Sequence, residues 1–183
     1  MIVSSGKYKG RKLADNHYAH IRPTADIVKQ AIFNKLAFFV QDGKVLDLFC
    51  GTGALGIEAI SRGAREVVFA DKDNRSISQT KLNLKNLAIS DARTLIGDYK
   101  ETLRKLAGEK FDIIILDPPY MSGVYEDALS LIKKYDLLSL DGIVVCEHEK
   151  TVEIQHEEYS QIDQKRYGIK MVSYFELKNI NQN

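Results

Sequence analysis

The run from Phe111 to Leu116, FDIIIL, closes on Asp117, Pro118, Pro119 and Tyr120, and no other stretch narrows the possible folds as much. Phe111 and Ile113 to Leu116 leave no polar alternation, the pattern of a central parallel strand covered on both faces. Neither proline can donate to a ladder, and each restricts the residue before it, so the strand must stop at Asp117 with a stiff backbone beyond. A rigid acceptor site at the carboxyl end of a strand is where open α/β sheets bind ligands.

The surrounding pattern supports that reading. Strand-like segments at 44–49, 66–70, 93–96, 111–116 and 143–146 alternate with helical patterns at about 54–62, 74–87, 99–106 and 125–135. Such βαβ alternation requires right-handed crossovers and a mostly parallel sheet, an α/β fold with helices on both faces. The ending differs: 161–167 and 171–177, separated by Gly168, read as a closing antiparallel hairpin at the sheet edge. Residues 2–13 read as a small hairpin or extended arm. After Arg22-Pro23, Thr24 is a good N-cap, and Ile27, Val28, Ala31, Ile32, Leu36 and Phe39 recur at helical spacing for roughly four turns. The 183 residues make one domain: a basic arm and helix (1–40), a catalytic core (41–177) and a polar, frayed tail (178–183).

Composition is ordinary for a globular chain, with 44% hydrophobic and 28% charged residues and a net charge of +1. The charge is unevenly placed. Residues 1–40 hold seven Lys/Arg against two acids, a net of +5, and the remainder carries −4. The basic end, with Tyr8, Lys9 and Arg11, therefore suits phosphate contact and base stacking, with a solvated arm as the alternative. Cys50 and Cys146 have no CxxC or metal-ligand spacing and read as reduced thiols of a cytoplasmic protein. The first residues lack the apolar core of a signal peptide, and no run approaches the roughly 18 apolar residues of a membrane span.

The tetrapeptide at 117–120 suits alkylation of an amino group on a flat ring. The Asp117 carboxylate and the Pro118 carbonyl can accept both protons of one exocyclic NH2 while the Tyr120 ring lies against the base. The simpler alternative is a Pro-Pro turn with a surface tyrosine. Between the first strand and helix, Gly51, Gly53 and Gly56 satisfy G-x-G-x-x-G, which by itself suggests a dinucleotide. Asp47, just before these glycines, is badly placed for a pyrophosphate and well placed for a cation such as the ammonium of a methionine moiety beside a sulfonium. Asp71, ending the second strand, can accept from two ribose hydroxyls, and Asp98, after the third, can meet the amino group of adenine. Three acids facing one crevice imply S-adenosylmethionine.

LDLFCGTGALGIEAISRGA, the acid of ADKD, and DPPY together resemble class I methyltransferases. RPTADIVKQAIFNKL and the YG…YFEL ending are similar to the RsmD family, bacterial 16S ribosomal RNA guanine-N2 methyltransferases. The resemblance implies a seven-stranded Rossmann-like sheet of order 3-2-1-4-5-7-6 with the last strand antiparallel. It also implies a cofactor site at Asp47, Gly51, Gly53, Asp71 and Asp98 and a base site at Asp117, Pro118 and Tyr120, with Arg22 and Thr24 beside the same crevice. The partner so implied is 16S ribosomal RNA, expected within a small-subunit assembly intermediate, and the enzyme is expected to act as a monomer without metal or membrane. The alternatives are an adenine N6 methyltransferase, a nicotinamide-dependent oxidoreductase and a non-catalytic RNA-binding protein.

Overall fold

The computed structural model describes residues 1–14, 23–119 and 123–178. Helix α1 (Pro23–Lys35) and the one-turn α2 (Ala37–Val40) precede β1 (Lys44–Asp47), α3 (Ala54–Ser61), β2 (Glu66–Asp71), α4 (Asn74–Asn86) and β3 (Arg93–Ile96). There follow α5 (Tyr99–Lys105), β4 (Phe111–Leu116), α6 (Val124–Lys134), β5 (Leu138–Glu149), β6 (Tyr159–Tyr167) and β7 (Lys170–Leu177). The sheet order is β3-β2-β1-β4-β5-β7-β6, as expected from the resemblance. Strands β1 to β5 pair in parallel, while β7 runs antiparallel to both β5 and β6. No described helix is long and apolar enough to cross a membrane.

Successive strand residues point to opposite faces, and the core divides accordingly. Val45, Phe69, Ile113, Ile115 and Val145 pack with α1, α3 and α4 residues such as Ile32, Ile57 and Leu84. Leu46, Val68, Ile114, Leu116 and Val144 pack with Leu103 of α5 and Leu129 of α6. Phe111 shares parity with Ile113 yet joins the second layer, and the β4–β5 register shifts between the two. That irregularity explains why β5 starts earlier than expected. Leu138 pairs with Phe111, the ladder resumes at Ile143, and the residues between bulge outward with Leu140 exposed.

The long helix anticipated after Pro23 breaks at Leu36, which caps α2 outside helical geometry at ψ 14°. Val28, Ile32 and Leu36 are buried as expected, but Ile27 is exposed and Phe33 takes its place in the core. The N-terminal segment is a tight hairpin bridged at Ile2 and Lys12, not a loose arm. Val3 and Leu13 are buried, and the Ser4 amide and hydroxyl both donate to the buried Glu58 carboxylate of α3, at 2.8 and 2.5 Å. Buried Lys29 of α1 closes the network by donating to the Ile2 carbonyl and lying 3.5 Å from Glu58.

Candidate active site

The parallel strands deliver their carboxyl ends to a single edge, and a cleft of about 830 Å³ opens there. Its floor comes from the loop after β1. Leu48 donates to the Ile115 carbonyl and Cys50 to the Ala70 carbonyl, so this loop is laced between β4 and β2. The chain then turns through Gly51 (φ 54°) and Gly53 (φ 79°) into α3, left-handed conformations that favour glycine.

The three glycines have separate physical roles. Gly51 lines the cleft, and a Cβ placed on it would meet no protein atom within 4 Å, leaving room for a ligand against bare backbone. Gly53 is the N-cap of α3 and faces α4, where a Cβ would come 2.9 Å from Thr80 Cγ2. Gly56 lets α3 approach the sheet, since a Cβ there would lie 2.2 Å from the Phe69 ring. Only Gly51 of the three lines the cleft.

The acids also divide. Asp71 ends β2 and lines the cleft; its Oδ2 accepts from the Gly51 amide at 3.0 Å and its Oδ1 from the Asp73 amide at 2.9 Å. A carboxylate offers about four lone-pair sites, and the described residues occupy two of them, leaving acceptor capacity for a ligand. Asp47 is buried beneath the loop and does not line the cleft; its Oδ2 accepts from the Gly56 amide at 2.9 Å. It thereby satisfies an amide in the first turn of α3 that its N-cap glycine has no side chain to satisfy. Burial pushes the Asp47 carboxyl up to about 7, the Gly56 bond pulls against this, and Asp71 adds to it. Asp98 is exposed, caps α5 by accepting from the Lys100 amide at 2.9 Å, and does not line the cleft.

The other wall carries Asp117, Pro118 and Pro119, with Tyr125 of α6 and Glu147 of β5. Desolvation beside the apolar strand ends and then the neighbouring Glu147 raise the Asp117 carboxyl above its ordinary range although its side chain is 36% exposed, while Lys170 lowers it. Arg22 and Tyr120 lie outside the described residues, as does the Thr24 side chain. Tyr8 is half-buried against the core, Lys9 is exposed, and exposed Arg11 donates to the Asn86 carbonyl of α4 at 3.0 Å.

Glu147 and Lys170 were not singled out from the sequence. Glu147 follows the apolar run of β5 as Asp117 follows that of β4, and this was the available signal. Lys170 reaches the cleft only because β7 runs against the other strands, which brings its first residue to their carboxyl edge. Among the described residues, five acids and three lysines line the cleft. That excess of acids disfavours a pyrophosphate and suits a ligand with cationic centres. The open space at Gly51 and the free acceptor sites of Asp71 fit S-adenosylmethionine.

Known proteins share this architecture. A family model described as "conserved hypothetical protein 95" matches residues 1–176. Ribosomal RNA small subunit methyltransferase D of Haemophilus influenzae is 34% identical over 94% of this chain and 90% of its own. YlbH of Bacillus subtilis, described as a candidate rRNA methyltransferase, is 41% identical over 84% of this chain and 85% of its own. Among solved structures, yhhF of Escherichia coli, a candidate methyltransferase, superposes with a TM-score of 0.87 at 26% identity, covering 98% of each chain.

Proposed function

The chain belongs to the RsmD family of ribosomal RNA small-subunit methyltransferases, and on that premise we propose that it methylates the N2 amino group of one guanine in 16S ribosomal RNA. The observation that carries this reading is one cleft flanked by Asp71 and by Asp117-Pro118-Pro119. S-adenosylmethionine, when bound, supplies a methyl carbon made electrophilic by its sulfonium. Asp71 holds the ribose hydroxyls through charge-assisted hydrogen bonds. Gly51 gives the ligand access to the backbone, and Asp47 acts from below by fixing the start of α3.

On the base side, the amino nitrogen is a weak nucleophile because its lone pair is delocalised into the ring. Asp117 accepts a hydrogen bond from it and favours the geometry in which the lone pair points at the methyl; such positioning supplies several kcal/mol of the barrier. The same carboxylate stabilises the positive charge that develops on nitrogen. Tyr120 stacks on the extruded base, offsetting part of the cost of unstacking. A small domain with one basic hairpin reads little sequence, so RNA shape and proteins already assembled on the RNA supply much of the specificity. The substrate is accordingly a cytoplasmic small-subunit assembly intermediate, bound by a monomer.

The test is nucleoside analysis of 16S ribosomal RNA from cells lacking the protein. One N2-methylguanosine should disappear and return with the wild-type gene. Loss of an N6-methyladenosine instead would move the reading to an adenine methyltransferase.

A further inference from the structure

The ladder register brings two carboxylates and one cation together beyond Asp117. Leu116 is level with Cys146 in the parallel β4–β5 pair, so the next step sets Asp117 beside Glu147. In the antiparallel β5–β7 pair Glu147 faces Val172 and Glu149 faces Lys170, so Lys170 is the diagonal neighbour of Glu147 on the same face. Lys170 Nζ lies 3.5 Å from Glu147 Oε1 and 4.0 Å from Asp117 Oδ1. All three side chains line the cleft.

Two adjacent carboxylates repel, and a cation between them favours the ionised form of both. We propose that Lys170 and Glu147 are positioning residues for methyl transfer, with Lys170 favouring the ionised form of Asp117 and aiming it into the cleft and Glu147 holding Lys170 in place. The inference rests on the amino-methylation reading above. In that step the nitrogen lone pair forms the N–C bond, the electrons of the breaking C–S bond stay on sulfur, and nitrogen must release one proton. With both acids ionised, the trio carries one net negative charge, which suits Asp117 to take that proton.

The other groups around Asp117 are Asp47 on β1, Tyr125 on α6 and His148 on β5. Asp47 opposes ionisation of Asp117, Tyr125 stays protonated because burial raises its phenol, and burial keeps the His148 imidazole neutral by lowering it. His148 is bonded to the Ser173 hydroxyl at 2.8 Å and the Glu149 carbonyl at 2.9 Å, so it is not free to replace Lys170.

The test follows the Asp117 carboxyl carbon by NMR titration in the ligand-free protein, together with the pH dependence of turnover. Lys170→Met should move the Asp117 midpoint upward and Glu147→Gln should move it downward, each by about one pH unit. The acid limb of kcat should move in the same two directions, KM for RNA should change little, and Lys170→Arg should restore the wild-type profile. Should Lys170→Met fail to fold, Lys170→Gln, which also removes the charge while keeping a polar side chain, carries the test with the same upward shift expected. Midpoints unmoved in the folded variants, or activity lost evenly at every pH, would overturn the inference. Guanine methylation by the wild type with unmoved midpoints refutes only this inference. Shifted midpoints in a protein that methylates no guanine support the charge cluster and refute the proposed function.

Discussion

The Gly51 amide donates to Asp71 Oδ2 at 3.0 Å, tying the loop after β1 to the end of β2. The carboxylate thus orders the floor of the cleft while lining it. Asp71→Ala removes charge-assisted bonds worth about 1.5–3 kcal/mol, so S-adenosylmethionine affinity should fall between about tenfold and about 150-fold. Calorimetry on the folded variant checks this, and unchanged affinity would remove Asp71 from the cofactor site.

The close approach of Gly56 to Phe69 predicts a packing defect separable from binding. Gly56→Ala gains about 1 kcal/mol of helix propensity but forces a Cβ to 2.2 Å from the ring. Overpacking of this kind costs about 1–3 kcal/mol. Urea unfolding should show net destabilisation, and combination with Phe69→Leu should recover much of it, giving a coupling energy in the double-mutant cycle.

The same residues indicate what was legible in the sequence. β4, its stop at Asp117-Pro118 and the glycine loop could be read because their signals are local: an apolar run, two prolines, and glycines at positive φ. The division of labour among the glycines could not, because it depends on Thr80 and Phe69, distant in sequence. An acid after a strand has two uses that sequence does not separate. Asp71 lines the cleft, whereas Asp98 caps a helix. Lys170 was hidden for a topological reason, since only an antiparallel strand brings its first residue to this edge.

The N-terminal hairpin has a structural duty besides its charge. Removing residues 1–12 takes Val3 from the core and both Ser4 bonds from Glu58, so it should lower the unfolding midpoint. Charge reversal at exposed Lys7 and Lys9 isolates the RNA term. Lys7→Glu with Lys9→Glu should weaken RNA binding and flatten its salt dependence, with melting temperature and cofactor affinity near wild type. Unaltered RNA binding would take the hairpin out of the interface.

Asp47 gives stability a distinctive pH dependence. Its carboxyl titrates at about 7 in the folded protein against an ordinary value of 3.8. Between these values the folded state holds a proton that the unfolded state has released, so this residue's contribution falls as pH rises. Asp47→Asn can keep an acceptor for Gly56 and removes the buried charge. Its stability relative to wild type should therefore improve from about pH 4 to about pH 7, measured by urea unfolding across that range. A constant difference across the range would place Asp47 at an ordinary carboxylate value.

The central claim is that Asp117 serves methylation of a guanine amino group. The direct measurement incubates wild-type protein and Asp117→Ala with methyl-labelled S-adenosylmethionine and unmethylated small ribosomal subunits, followed by nucleoside analysis. Label should appear in N2-methylguanosine with the wild type, and Asp117→Ala should lose most of the turnover while its cofactor affinity stays within about threefold, since a change made on the base side leaves the cofactor contacts in place. Label in N6-methyladenosine, or a folded Asp117→Ala working at the wild-type rate, would contradict the claim.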